Sequence, residues 1–107
     1  MEQRLVIFER PNGKRPFQDW LRGLSDAKGR GVIRARLERV RLGNFGDSRS
    51  VGNGVEELKI DYGPGYRVYF GRPTAQLVVL LCGGGKGSQK RDIQRAHSLW
   101  MEFRDAH

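Results

Sequence analysis

The segment 56–70, EELKIDYGPGYRVYF, constrains the fold of this chain more than any other. Its centre cannot continue a strand, because Pro64 lacks an N–H and the glycines beside it favour a turn. On both sides of that turn, apolar and polar side chains alternate, which is typical of strands with one buried and one solvent-facing side. The segment therefore predicts an antiparallel β-hairpin.

The register of the hairpin follows from matching apolar residues with apolar residues, since a slip of one position would set polar against apolar. The expected pairs are Glu57–Tyr69, Leu58–Val68, Lys59–Arg67 and Ile60–Tyr66. Like charges directly opposite each other cost stability. A Lys59–Arg67 pair on the solvent-facing side, with Glu57 beside it, therefore indicates a site for an anion. The alternative interpretation is a surface hairpin whose basic face is only solvated.

The charge of the whole chain points in the same direction. There are 20 Lys and Arg residues against 12 Asp and Glu residues among 107, a formal net charge of +8. Such a field attracts polyanions, and it would also attract an acidic protein partner. The single cysteine, Cys82, cannot form an internal disulfide, no apolar run is long enough to span a membrane, and the first residues do not resemble a signal peptide. We expect one domain, 1–107, in the cytoplasm, with no bound metal or cofactor.

The remaining elements are predicted from periodicity and end signals. The expected order is a strand at 5–8, helices at 16–24 and 27–42, a loop at 43–54, the hairpin, a central strand at 77–82 and a final helix capped by Ser88, with Ser25–Asp26 as the capping signal of the helix at 27–42. The run 77–82 is apolar on both sides, as expected of a strand covered on both faces. The sequence thus predicts an α+β fold with a small, mostly antiparallel sheet in the order β-α-α-β-β-β-α, wrapped by helices.

Two further segments are candidates for binding. The second helix carries a row of arginines, among them Arg34, Arg36 and Arg41, which is either a solvated helix face or a footprint for a polyanion. The segment 83–88, GGGKGS, lacks the Gly-Lys-Ser/Thr order of a nucleotide-binding loop. Its glycines instead allow a close-packed exit from the central strand, and they place Lys86 at the tip.

The whole pattern resembles the RelE superfamily of toxins, and within it the HigB-like branch of addiction module killer proteins. The resemblance covers nearly the whole chain. It is carried by the segments FQDWL (17–21), RAR (34–36), GNFGD (43–47), VGNGVEEL (51–58), GPGYRVYF (63–70), LLCGG (80–84) and DI (92–93). The resemblance implies the RelE-like fold, with the active face on the sheet.

The resemblance also implies a function, that of an endoribonuclease toxin which cuts mRNA, usually on the ribosome. It implies a cognate antitoxin encoded beside it, commonly a small helix-turn-helix protein, with operator DNA bound only through that antitoxin. Lys59 and Arg67 match the basic strand positions that the family uses around the scissile phosphate, and Lys86 lies near a late basic position. Ile93 stands where the family often has Tyr or His, so the general base is left unassigned.

Metal-independent RNA cleavage needs a base for the 2′-hydroxyl, cations for the charge on the phosphate, and an acid for the leaving oxygen. Arg67 is the candidate for charge stabilisation, because guanidinium grips two phosphate oxygens at once. Lys59 and Glu57 are candidates for proton transfer and Lys86 for a neighbouring phosphate. Tyr62, Tyr66 or Phe45 could stack on a base. A module that binds nucleic acid or the ribosome without cutting, or a related toxin that acts by binding a protein, is the alternative.

Overall fold

The computed structural model describes residues 1–107 and has one five-stranded sheet with three α-helices. The elements are β1 (Arg4–Ile7), α1 (Pro16–Gly23), α2 (Ala27–Arg41), β2 (Ser48–Ser50), β3 (Val55–Ile60), β4 (Tyr66–Thr74), β5 (Leu77–Gly84) and α3 (Gln89–Ala106), with a 3₁₀ turn at Lys86–Ser88 before α3. None of the helices is both long enough and apolar enough to cross a membrane.

The strands lie side by side in the order β1-β5-β4-β3-β2. β1 runs parallel to β5, and every other neighbouring pair is antiparallel. The α+β class and the mostly antiparallel sheet are therefore confirmed. The predicted hairpin register is confirmed as well, since Lys59 pairs with Arg67 and Ile60 with Tyr66 between β3 and β4.

The sheet is buried on both faces. On one face α1 and α2 pack over the alternate positions of β3 and β4, with Leu58, Ile60 and Val68 at the centre. On the other face α3 packs over Tyr69 and its neighbours through the side chains Ala96, Leu99 and Trp100. The central strand β5 supplies residues to both cores, which is why its sequence is apolar throughout.

This second core corrects the prediction that one side of the hairpin faces solvent. Tyr69 is fully buried, Glu57 is 3% exposed and Arg67 is 7% exposed, so only Lys59 of the four paired polar positions is open to water. The physical reason is α3, which lies against β4 and β5 and covers that face. Period-two alternation within the hairpin gives no information about a helix from a distant part of the chain that packs on its polar side.

The loop before the hairpin contains an element that the sequence did not reveal. Ser48–Ser50 forms the edge strand β2, which is antiparallel to β3, and Arg49 lies opposite Glu57. Three polar residues give no apolar alternation from which a strand could be predicted. The loop is therefore shorter than expected, and its middle is fixed to the sheet.

Of the two predicted helix caps, one makes a capping hydrogen bond and the other does not. Asp26 caps α2 as expected, because its carboxylate accepts a hydrogen bond from the Gly29 N–H at 2.9 Å. Ser88 stands at the start of α3 but makes no capping bond. Its hydroxyl donates instead to the carboxylate of Asp92. The prediction that the Ser88 side chain caps this helix was therefore wrong.

Candidate functional site

A small open pocket lies on the α3 side of the sheet, where β2, β3 and β4 run side by side. Its volume is about 270 Å³, and we call it the cationic pocket. It is lined by Asp47, Arg49, Glu57, Lys59 and Arg67. Three of these five side chains are cations, and the pocket brings together three of the four residues that the sequence predicted as catalytic.

Glu57 is the fixed centre of this pocket. Its carboxylate accepts hydrogen bonds from Arg49 Nε at 3.0 Å, from the Tyr69 hydroxyl at 3.0 Å and from Gln89 Nε2 at 2.9 Å. Burial acts to raise the pKa of Glu57, but these three bonds outweigh it and leave the pKa below its ordinary value. Glu57 is therefore a carboxylate at neutral pH, and both of its oxygens are engaged.

Arg67 is held beside Glu57 with part of its donor capacity unused. Its Nη1 donates to the carbonyl oxygen of Gly65 at 3.1 Å. Its Nε lies 3.6 Å from the Glu57 carboxylate, which is an ion pair but too long for a hydrogen bond, and this buried N–H has no other partner. A buried donor without a partner is costly. An anion in the cationic pocket would supply an acceptor for Arg67.

The two lysines lie around Arg67 and are free. Lys59 is exposed, pairs with Arg67 across the strands and makes no ion pair. Lys86 is exposed at the start of the 3₁₀ turn. A Cβ built at Gly65 would lie 3.8 Å from both Arg67 Nη1 and Lys86 Cβ, so the hairpin turn places Lys86 next to Arg67. All four predicted catalytic residues thus lie in or near one site.

The candidates for RNA binding on α2 do not behave alike. Arg34 is exposed, whereas Arg41 is held in a salt bridge to Glu38 with Nη2 2.6 Å from Oε1. Arg36 is 7% exposed, and its guanidinium donates to the carbonyl oxygens of Phe45 and Asn44. Arg36 therefore holds the loop after α2 and is not free to contact RNA, which corrects the sequence prediction.

The aromatic candidate is partly available. Tyr62 is half-buried and packs against the core beneath α1 and α2. Tyr66 is buried within that core. The hydroxyl of Tyr66 donates to Asp26 at 3.1 Å, which joins the hairpin to the start of α2. Tyr66 is structural, as its apolar strand position predicted, whereas Tyr62 and Phe45 are both half-buried.

Two residues of the site escaped the sequence reasoning. Arg49 lines the cationic pocket with 63% of its side chain exposed, and it faces Glu57 because β2 pairs with β3. Gln89 reaches Glu57 from the first turn of α3, across 32 residues of chain. Neither contact has a local signal. The charge of Arg49 is visible in the sequence, but the position of its side chain depends on an edge strand that the pattern did not predict.

A larger cavity of about 570 Å³ lies at the other end of β3, beside His97 and Trp100. The His97 Nε2 is 2.9 Å from the carbonyl oxygen of Val51, and its Nδ1 is 3.3 Å from the Asn53 amide. His97 therefore fixes the loop between β2 and β3.

These features define the class of the molecule: a small α+β protein whose sheet carries a cationic pocket built around one fixed carboxylate. No family model and no solved structure matches the chain. A protein of Haemophilus influenzae (strain Rd), described as uncharacterized, is 46% identical over 87 residues, which cover 81% of this chain and 88% of that protein. The chain belongs to the same family as this Haemophilus influenzae protein.

Proposed function

We propose that this protein is a metal-independent endoribonuclease, the toxin of a toxin–antitoxin pair of the RelE superfamily, which cuts mRNA on the ribosome. The observation that carries the proposal is Arg67: a buried guanidinium with an unpartnered N–H, at the wall of a pocket that also holds Arg49 and Lys59. Three cations around an open space suit a phosphate diester, whose charge increases as the 2′-hydroxyl attacks. The resemblance of the sequence to the HigB-like toxins supports the same reaction.

The residues of the site have two kinds of role, binding the phosphate and transferring a proton, and Lys59 has both. Arg67 is preorganised, because Glu57 and the Gly65 carbonyl fix its guanidinium plane. Arg49 and Lys59 complete the binding of the phosphate oxygens, and Lys86 is close enough to hold the next phosphate along the chain. Lys59 is the one side chain among the four predicted catalytic residues that both lines the pocket and has no partner, so we assign proton transfer to it.

Glu57 has a different role from the one that the sequence predicted for it. A general base needs a free oxygen and a pKa close to the working pH. Both oxygens of Glu57 accept hydrogen bonds, and its pKa is lowered. Glu57 therefore acts as a positioning residue, which orients Arg49 and Arg67 toward the pocket.

The engagement of both Glu57 oxygens in hydrogen bonds also favours a second candidate function. Because the pocket contains no unengaged carboxylate beyond Asp47 at its rim, a module that binds RNA or the ribosome without cutting is the alternative. In either case we propose that an acidic antitoxin covers the cationic pocket, since a protein of net charge +8 attracts it.

The experiment compares RNA cleavage by the purified wild-type protein and by Lys59→Ala, in EDTA, on free RNA and on mRNA in a translating extract. Lys59 is exposed, so its replacement leaves the core intact, and we expect cleavage to fall by about 100-fold or more. Lys14→Ala is the matched control, because Lys14 is an equally exposed lysine without an ion pair on the loop before α1. Arg67→Lys, which keeps the charge beside Glu57 but loses the planar fork, should also reduce cleavage.

Three outcomes would overturn the proposal. Loss of all cleavage in EDTA with recovery on adding Mg²⁺ would show that the reaction depends on a metal. RNA binding without new 5′ ends, on free RNA and on translating ribosomes alike, would establish the non-catalytic alternative. Equal activity of Lys59→Ala and Lys14→Ala would move the active face away from the cationic pocket.

A further inference from the structure

A second groove continues from the cationic pocket around the edge of the sheet to α2. It has a volume of about 390 Å³, within the range of about 300–1,000 Å³ typical of ligand pockets. Lys59 and Asp47 line both cavities, so the two are neighbours that share a wall. We call the second cavity the edge groove.

The edge groove has the three kinds of surface that a nucleotide needs. Its apolar part is formed by Val32 and Ala35 of α2 and by Ile60 at the end of β3. Its free cations are Arg39 and Lys59, and its carboxylates are Asp47 and Asp61. Arg36 also lies there, but its guanidinium is engaged by the loop carbonyls.

The charged groups of the edge groove are unengaged. Arg39, Asp47, Lys59 and Asp61 are all exposed, and none of them takes part in a salt bridge or a side-chain hydrogen bond, although cations and carboxylates line the same cavity. Their donors and acceptors are thus available to a ligand that offers both signs: an anionic group for the cations, and N–H donors for the carboxylates.

That combination decides between the classes of polyanion. An acidic peptide would satisfy Arg39 and Lys59, but Asp47 and Asp61 would repel it. A single-stranded RNA carries a phosphate for the cations, a flat base for the apolar part, and exocyclic amino and ring N–H groups for a carboxylate. Among the bases, guanine has two adjacent donors, N1–H and N2–H₂, which one carboxylate accepts together.

We infer that the edge groove is a nucleotide subsite that selects guanine, with Asp61 as the carboxylate that reads the base and Lys59 as the link to the neighbouring phosphate in the cationic pocket. We choose Asp61 over Asp47 because Asp61 lines only the edge groove, whereas Asp47 also lines the cationic pocket. The inference rests on the proposed function, since it assigns the residue next to the phosphate that the cationic pocket would hold. It makes Asp61 a specificity-determining residue rather than a catalytic one.

The test is a titration of ¹⁵N-labelled protein with the four ribonucleoside 5′-monophosphates, monitored by amide chemical shifts. We expect 5′-GMP to shift the amides of Ala35, Lys59 and Asp61 and to bind about 5- to 10-fold more tightly than the other three, the lower part of the range for a bidentate base contact. Asp61→Asn should abolish this preference, because an amide cannot accept both hydrogen bonds. Asp19→Asn is the matched control: Asp19 is an exposed aspartate on α1, and its replacement should leave the preference intact.

A second readout uses the products of RNA cleavage. The wild-type protein should leave guanine enriched beside the cut, the cuts that Asp61→Asn makes should lose that enrichment, and Asp19→Asn should keep it. Equal affinity for the four nucleotides, or shifts confined to residues outside the groove, would overturn the inference. Shifts of the groove amides by an oligoglutamate peptide at the concentrations at which GMP acts would overturn it in favour of an acidic protein segment.

The two proposals fail separately in these experiments. Cleavage that depends on Lys59 but shows no guanine preference would support the proposed nuclease activity and contradict the guanine subsite. Selective GMP binding by a protein that cuts no RNA would support the subsite and contradict the nuclease activity. GMP binding requires no chemistry, so the titration gives an answer whether or not the protein is an enzyme.

Discussion

At the scale of single residues, the site depends on a buried carboxylate that is satisfied and a buried guanidinium that is not. Glu57 has three hydrogen-bond donors around it, whereas Arg67 has one acceptor and a longer ion pair. Taking both groups out of water is expensive, and their mutual attraction offsets only part of that cost. Such an arrangement stabilises the fold little, but it fixes a cation at the wall of a pocket.

This network predicts how stability depends on pH. The pKa of Glu57 is below its ordinary value of 4.5 in the folded protein, so between these two values the unfolded chain binds more protons. The stabilisation is therefore fully present above the ordinary value and is lost as the pH falls through the folded pKa. In urea unfolding between about pH 3 and pH 7, Glu57→Gln should show a shallower acid loss than the wild-type protein.

The neighbouring glutamate supplies the control for this prediction. Glu56 is half-buried, and its carboxylate makes no hydrogen bond or salt bridge, so Glu56→Gln should keep the acid profile of the wild-type protein. Glu57→Gln should also lower the free energy of unfolding at neutral pH by about 1–3 kcal/mol, because it leaves Arg67 buried without its counter-charge. Identical acid profiles for the two variants would show that Glu57 does not carry the effect.

At the scale of elements, each tryptophan packs its ring onto a glycine of the sheet. Trp20 of α1 covers Gly83 of β5, and Trp100 of α3 covers Gly71 of β4. A Cβ at either glycine would overlap the ring above it. The close approach sets how near α1 and α3 lie to the sheet. For α3 this distance matters to the site, because the same helix carries Gln89 to Glu57.

Gly71→Ala should therefore destabilise the protein, because Trp100 has to move away from the sheet together with α3. We expect a loss of about 1–3 kcal/mol in the free energy of unfolding, the usual cost of overpacking a core. The control is Gly31→Ala in α2, where nothing lies within 4 Å of the new Cβ. That change should instead stabilise the protein by about 0.5–1 kcal/mol, since alanine is the better helix former. Urea unfolding of both variants measures the difference, and a destabilised Gly31→Ala or an unaffected Gly71→Ala would contradict it.

At the scale of the whole molecule, the excess of positive charge is not neutralised by ion pairs. Five salt bridges join the 20 Lys and Arg residues to the 12 Asp and Glu residues, and in two of them both side chains are about half exposed, namely Arg15 with Glu9 and Arg41 with Glu38. Surface pairs of this kind contribute little to stability. The net charge is therefore better understood as a field that draws a polyanion toward the sheet.

The field predicts a steep salt dependence of RNA binding. If three or four phosphates contact Arg49, Lys59, Arg67 and Lys86, the affinity for single-stranded RNA should fall by about 20- to 50-fold between 50 and 200 mM salt. Fluorescence anisotropy with a labelled RNA at several salt concentrations measures the slope. Lys86→Ala should make the slope shallower by about 0.7, the contribution of one phosphate, whereas Lys14→Ala should leave it unchanged. A slope near zero would exclude phosphate binding as the main contact.

The local features of this protein can be predicted from its sequence. The hairpin and its register followed from alternation, because a one-residue shift would have buried charges and exposed the core. Helix α2 and its Asp26 cap, and the central position of β5, followed from periodicity and end signals in the same way. These features depend on residues that are near one another in the chain, and so each leaves a readable pattern.

Which polar residues are free depends on contacts that form only when the chain folds. Alternation indicated that Glu57, Arg67 and Tyr69 face water, but α3 returns from the end of the chain and buries them. Arg36 similarly appears in the sequence as one more arginine of a basic helix, although the loop carbonyls engage its guanidinium. Burial and pairing depend on contacts between distant segments, such as Gln89 with Glu57, and such contacts leave no local trace in the sequence.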